Sequence, residues 1–188
     1  MKTLCISAVL SLSLLFTINA LAKSALPKSE LLLEVDNLQT LGHTAQQQNL
    51  PIMLMFGAQW CEYCELLVEE VLDPMMLSGL YEGKVVLMRH VGIDERAPIP
   101  DWNGTLIKKS KWAYQLNADL TPTVLFVDGS GREVAPRIIG ISAITLYSQL
   151  IHQNLNTAYK NMGLNKQIPA TPELLEKQVI QAKHNKIN

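Results

Sequence analysis

The chain has 188 residues, 48 % of them hydrophobic, with 16 basic against 17 acidic side chains and a formal charge of −1. That length suits one domain with an appendage, and so much apolar material builds a sizeable core without disulfide staples or structural metals. The balanced charge leaves no field of one sign, which excludes nucleic acid as a natural partner.

The first segment reads as a processing signal. Lys2 supplies a positive start, Leu4 to Ile18 an apolar run, and Ala20-Leu21-Ala22 a small-residue cleavage pattern. The run is short for a bilayer span, which takes about 20 residues; an uncleaved N-terminal anchor is the alternative. Residues 1–22 are therefore expected to be removed on export, Cys5 with them. The mature chain would keep Cys61 and Cys64, in an oxidising compartment, with a bacterial periplasm as the first choice.

Residues 23–35 are expected to be a linker, with a polar start, "KSALPKS". A helix follows over about 36–48, stopped by Pro51. "PIMLMFG" is a continuous apolar run between Pro and Gly, the pattern of a strand buried on both faces. A helix starts near Cys61, with Leu66, Leu67, Val71 and Leu72 at helical spacing. Pro74 ends or kinks it and allows a second short helix. "KVVLMRHVGID" is a strand, residues 95–105 a loop, and 106–116 a helix. "TPTVLFVD" and "REVAPRIIG" flank the turn "GSG" as a hairpin. Residues 142–162 form a long amphipathic helix, and a Pro-containing hinge leads to a polar helix in the tail, 163–188. Alternating helices and strands that end in a hairpin and a covering helix imply an α/β fold. Its central mixed sheet carries helices on both faces, with a C-terminal helical extension.

The chemistry concentrates in "QWCEYCELL". A zinc site needs four ligands, and His43, His90, His152 and His184 are scattered over separate elements, none at ligand spacing from Cys61. No metal or other cofactor is expected, although a copper carrier using Cys61 and Cys64 remains the rival reading. As a staple the pair is weak, because a disulfide closing so short a loop removes little chain entropy. As an exchange centre it is well made: one thiolate attacks a disulfide and its neighbour resolves the mixed disulfide. Cys61 falls where a strand hands over to a helix, where free N–H groups and the positive helix end stabilise a thiolate. It is expected to be the exposed nucleophile, with Cys64, one turn inside, as the resolving thiol.

"MLMFGAQWCEYC", "TPTVLFVDGSG" and "IIGIS" in that order resemble the thioredoxin superfamily over about residues 36–162. The segment after the cysteine helix looks like exported bacterial thioredoxin-like proteins of the SoxW and thioredoxin-related type. The resemblance implies a thioredoxin fold and a thiol–disulfide oxidoreductase. It also implies a cis peptide bond at Pro122 facing the cysteines and a substrate strand aligned by Thr121. Trp60 would shield the site and contact substrate, and Gly140 matches the glycine after the last strand. It further implies disulfide-containing protein substrates and re-reduction by a membrane electron carrier of the DsbD kind.

Four positions depart from the family pattern. The buried Asp six residues before the first cysteine is Met55, the dipeptide between the cysteines is Glu62-Tyr63, and the Lys after the second is Glu65. Proton handling at Cys64 would then fall to water, to Glu62 or Glu65, or to substrate. Glu62 and Glu65 suit the helix dipole but oppose an anion at Cys61. A less stabilised thiolate makes a weaker oxidant, which favours a reductant or isomerase-like role over a disulfide donor. With only residues 23–35 before the domain in the expected mature chain, a V-shaped dimer built on an N-terminal domain is not expected, and a monomer is.

His90 reads as a satisfied structural histidine on its strand, and His43 and His152 as solvent-facing. The run Lys108 to Lys111 reads as a solvated helix face. Trp102 either touches substrate or caps the core.

Overall fold

The computed structural model describes residues 31–187. The expected signal, residues 1–22, and most of the expected linker lie outside them. The first described helix, α1 (Leu38–Gln48), starts where the Asn37 side chain accepts the Thr40 N–H at 2.9 Å. It stops at Asn49, whose left-handed backbone (φ 52°) caps the last turn.

Strand β1 (Ile52–Gly57) is buried along its whole length. It lies parallel to β2 (Leu87–Gly92) and antiparallel to β5 (Thr123–Val127). A strand enclosed on both faces has no polar side to show, which is why its sequence is a continuous apolar run. Alternate side chains enter two cores. Met53 and Met55 join Cys64, Leu67, Val71 and Leu72, together with Ile151 and Leu155 of the long helix α5 (Tyr147–Asn161). Ile52, Leu54 and Phe56 join Leu38, Leu41 and Ala45 of α1, with Trp112 and Ala113 of α4 (Lys109–Gln115). The result is a three-layer α/β/α domain with sheet order β2-β1-β5-β6, where β6 (Glu133–Ile139) is an edge strand and accommodates Pro136.

Between β1 and β2 the chain is one helical run in three parts: α2 (Glu62–Leu67), a π turn (Val68–Leu72) and α3 (Asp73–Leu77). Of the end or kink expected at Pro74, the chain takes neither a stop nor a sharp break but a bulge, and the expected second short helix follows it as α3. Pro74 has no N–H to donate, and the turn ahead of it widens so that the Asp73 N–H reaches the Val68 carbonyl. The stretch 95–105, expected as a plain loop, carries a short strand, β3 (Ile99–Pro100), and its partner β4 (Leu106–Ile107) takes the first residues of the helix expected over 106–116, so that α4 starts only at Lys109.

Two outer segments are more tightly held than their sequences suggest. The end of the expected linker docks on the sheet: Val35 N–H donates to His90 C=O and His90 N–H to Leu33 C=O, both at 2.8 Å, with Leu32 and Val35 buried. Beyond α5, Asn156 exchanges two hydrogen bonds with the backbone of Ile168 (2.9 and 2.8 Å). The last helix, α6 (Pro172–Ile187), buries Leu175 in the core it shares with α5.

His152, expected at the surface, is fully buried. Its Nδ1 lies 2.6 Å from the Pro169 carbonyl and its Nε2 2.8 Å from the Tyr81 hydroxyl. A carbonyl only accepts, so Nδ1 carries the proton and Nε2 accepts from Tyr81. The tail covers the face of α5 that the helical pattern alone leaves open to water.

Candidate active site

The site is built where β1 ends. Ile93 N–H donates to Gly57 C=O at 2.9 Å, and the Asp94 carboxylate accepts the Gln59 N–H at 3.0 Å. These two bonds fix the turn that carries Trp60, the residue just before the N-cap of α2. Cys61 is the N-cap of α2, in extended backbone (φ −95°, ψ 96°). Its Sγ accepts the Cys64 N–H at 3.1 Å, a helix-start donor that it shares with the Cys61 carbonyl at 2.9 Å.

Cys61 and Cys64 form a disulfide with their Cα atoms 5.2 Å apart. In this oxidised form Cys61 is 8 % exposed and Cys64 4 %. The expectation of an exposed Cys61 is corrected to that extent: both sulfurs belong to the core cluster under α2, and Cys61 is only the more accessible of two buried residues. Trp60 and Tyr63 beside them stand out at 69 % and 64 % exposure, while Glu62 and Glu65, both in the first turn, face solvent.

The opposite wall comes from the β5–β6 pair. The Thr121–Pro122 peptide bond is cis. Phe56 pairs with Thr123 and Thr123 with Ile139, so Pro122 lies at the sheet end where β1 hands over to α2. Gly140, at φ +66°, donates its N–H to the Pro122 carbonyl at 2.8 Å. Leu120 and Ile139 are exposed at the same end. The structure therefore gathers Trp60, Cys61, Tyr63, Thr121, Pro122 and Gly140 from three chain segments. Trp102 is not among them. It packs edge-on against Trp112 in the second core, with ring centroids 6.4 Å apart, and so caps that core.

Beneath the cysteines lies a charged group of residues missing from the sequence-based site. Glu34 receives hydrogen bonds from His90 Nδ1, from the Gly92 N–H (2.7 Å) and from Lys109 Nζ (2.5 Å). Lys109 also pairs with Glu95 at 2.6 Å and is only 2 % exposed, which corrects the reading of a solvated lysine face at that position. Burial works against the Glu34 charge. The hydrogen bond of His90 and the charge that ring carries when protonated, with the Gly92 and Lys109 bonds, outweigh it and hold the carboxyl below its ordinary range. The signal for this group was the histidine itself: a polar ring on a strand buried at both ends requires a fixed partner.

The group reaches the cysteines at Gly57. A Cβ placed there would lie 2.7 Å from His90 Nε2 and 3.4 Å from Cys64 Sγ. The same point is 3.0 Å from Met55 Sδ, so Met55 lines the gap, and glycine adds no side chain of its own between the imidazole and the inner sulfur. Among the described residues, no group of three or more His, Cys, Asp or Glu side chains is placed to hold a metal ion.

A family model described as a thioredoxin-like domain matches residues 39–155. The chain belongs to the thioredoxin-like family. With its CxxC pair joined at the start of α2, this thioredoxin-like protein is a thiol–disulfide oxidoreductase. Similar solved structures include thioredoxin O2 from Arabidopsis thaliana in the oxidised state (22 % identity, 65 % of this chain and 92 % of that one, TM-score 0.43). Others are the Malassezia sympodialis thioredoxin Mala s 13 (16 %, 66 % and 90 %, 0.46) and a thioredoxin-fold protein from Helicobacter pylori (17 %, 83 % and 94 %, 0.48). No curated protein matches the chain.

Proposed function

We propose that this thioredoxin-like protein is exported to the periplasm as a monomer and there reduces or rearranges disulfides in other proteins. Cys61 attacks the substrate disulfide and Cys64 resolves the mixed disulfide. Thr121 and Pro122 align the substrate backbone beside the cysteines, with Gly140 holding that loop. Trp60 and Tyr63 offer apolar contact. A membrane carrier of the DsbD kind returns the electrons.

One observation carries the direction. The Cys61 sulfur has one helix-start N–H on it, from Cys64, while two acidic side chains, Glu62 and Glu65, share the same first turn. That charge balance disfavours the strongly stabilised thiolate of a dedicated oxidant. Export is supported by the Lys2, Leu4–Ile18 and Ala20-Leu21-Ala22 pattern.

Two assays test the reading. Protein recovered from the periplasm of an expressing bacterium is expected to begin at Lys23 by mass spectrometry; a chain retaining residues 1–22 in the membrane contradicts cleavage. The mature protein, supplied with a dithiol, is expected to accelerate reduction of insulin. Cys61→Ser is expected to abolish that activity, and Cys64→Ser to accumulate a mixed disulfide with insulin. Tight Cu(I) binding with no insulin reduction would favour a copper carrier instead.

A further inference from the structure

Resolution of the mixed disulfide needs Cys64 as a thiolate, and Cys64 is buried in apolar surroundings that oppose its ionisation. Somewhere its proton must go. Met55 lies beside His90 on the neighbouring strand and has no group to take it. Glu62 and Glu65 face solvent.

His90 is differently placed. Its Nδ1 bonds to Glu34, and a carboxylate only accepts, so the Nδ1 site carries hydrogen and, in the neutral ring, Nε2 holds the lone pair. Nε2 is the atom turned to Gly57. The point 2.7 Å from Nε2 is also 3.4 Å from Cys64 Sγ, so the two atoms are no further apart than the sum of those lengths. That is about 6 Å at most, a gap that one bridging water spans. Lys109 and Glu95 complete the surroundings. Lys109 neutralises the far side of Glu34, and Glu95 neutralises Lys109.

We propose that His90 is the proton acceptor for the resolving thiol, positioned by Glu34, with Gly57 keeping the path open. This rests on the thiol–disulfide exchange reading above. In the step, the Cys64 S–H proton passes to His90 Nε2. The Cys64 sulfur bonds to Cys61 Sγ, and the bond between Cys61 Sγ and the substrate sulfur breaks. The electron pair leaves with the substrate as its thiolate. The cysteine pair is oxidised, the substrate disulfide has been reduced, and the imidazolium is held by Glu34 until it returns the proton to solvent or to the departing thiolate. Re-reduction runs the same transfer backwards.

The test uses the reduced protein and 5,5′-dithiobis(2-nitrobenzoate) in stopped flow. The first thionitrobenzoate released reports attack by Cys61, and the second reports resolution by Cys64. His90→Asn keeps an amide donor for Glu34 and removes the base. It is expected to leave the first phase within about twofold of wild type and to slow the second about tenfold or more near pH 7. It should also remove the pH dependence of the second phase between about pH 5 and 8. Glu34→Gln is expected to slow the second phase less. A second phase with unchanged rate and pH profile in His90→Asn overturns the proposal and leaves the oxidoreductase reading standing. Absence of any first phase in wild type overturns both. If His90→Asn does not fold, NMR titration of the reduced wild type decides. The Cys64 Cβ and His90 ring signals are expected to share an inflection, and independent titrations overturn the assignment.

Discussion

The backbone N–H of Gly140 donates to the carbonyl of Pro122 at 2.8 Å, tying the end of β6 to the loop that faces the cysteine helix. Gly140 does this at φ +66°, with nothing within 4 Å of where a Cβ would stand. Its substitution is therefore a test of backbone conformation without steric clash. Gly140→Ala is expected to lose about 1–2 kcal/mol of stability, the cost of a left-handed backbone for a residue with a Cβ. If the loop aligns substrate, KM for a protein disulfide should rise more than kcat falls. Urea denaturation and insulin kinetics together check this, and a variant with unchanged KM would detach Gly140 from substrate alignment.

The acids of the first turn give a second prediction. Replacing Glu62 or Glu65 with Gln removes a negative charge near the Cys61 sulfur while keeping side-chain size. Each change is expected to lower the apparent pKa of the Cys61 thiol, followed by thiolate absorbance against pH. An interaction of about 0.5 kcal/mol corresponds to about 10 mV, so the potential should rise by that order for each charge removed. A potential that falls in either variant contradicts the charge argument.

His152 sets a pH dependence on stability. Burial is the largest influence and lowers its folded-state pKa below the ordinary 6.5, against the hydrogen bond to Pro169 and the charge of Glu173. The unfolded chain therefore takes up the proton first as pH falls. The stability tied to the neutral ring is complete above about 6.5 and is lost progressively as pH drops toward the lower folded-state value. Wild type is expected to show a lower denaturation midpoint at pH 5.5 than at pH 7.5, and His152→Gln a smaller difference. The same variant should free α6, read as faster amide exchange over residues 172–186.

Lys109 is a buried cation between two carboxylates. Lys109→Met keeps the stem and removes the charge, leaving Glu34 and Glu95 without their shared partner. Both carboxylates are partly open to water, so the expected loss is about 2 kcal/mol, below that of a fully enclosed pair. Equal stability of variant and wild type in urea would show that the pairs contribute nothing net.

These residues also show where sequence reasoning reaches and where it stops. β1 was legible because enclosure on both faces erases polar alternation, and Cys61 and Cys64 because exchange chemistry needs two thiols at that spacing; Pro122 came only from the resemblance to the thioredoxin superfamily. The π turn before Pro74 was not legible, since a break and a bulge answer the missing N–H equally well. Glu34 and Lys109 were read as linker and solvated face because each was weighed against its chain neighbours. Their partners are 75 and 14 positions away along the chain, and only folding brings them together. His152 failed for the same reason: the tail that buries it follows 17 residues later.

The reduction potential of the Cys61–Cys64 pair, by equilibration of the mature chain with a thiol buffer, tests the account most directly. A value near thioredoxin's, about −270 mV, is the predicted result and describes a reductant that draws on an electron donor. A value near about −120 mV would describe an oxidant that gives its disulfide away, and would contradict both the proposed direction and the role assigned to Glu62 and Glu65.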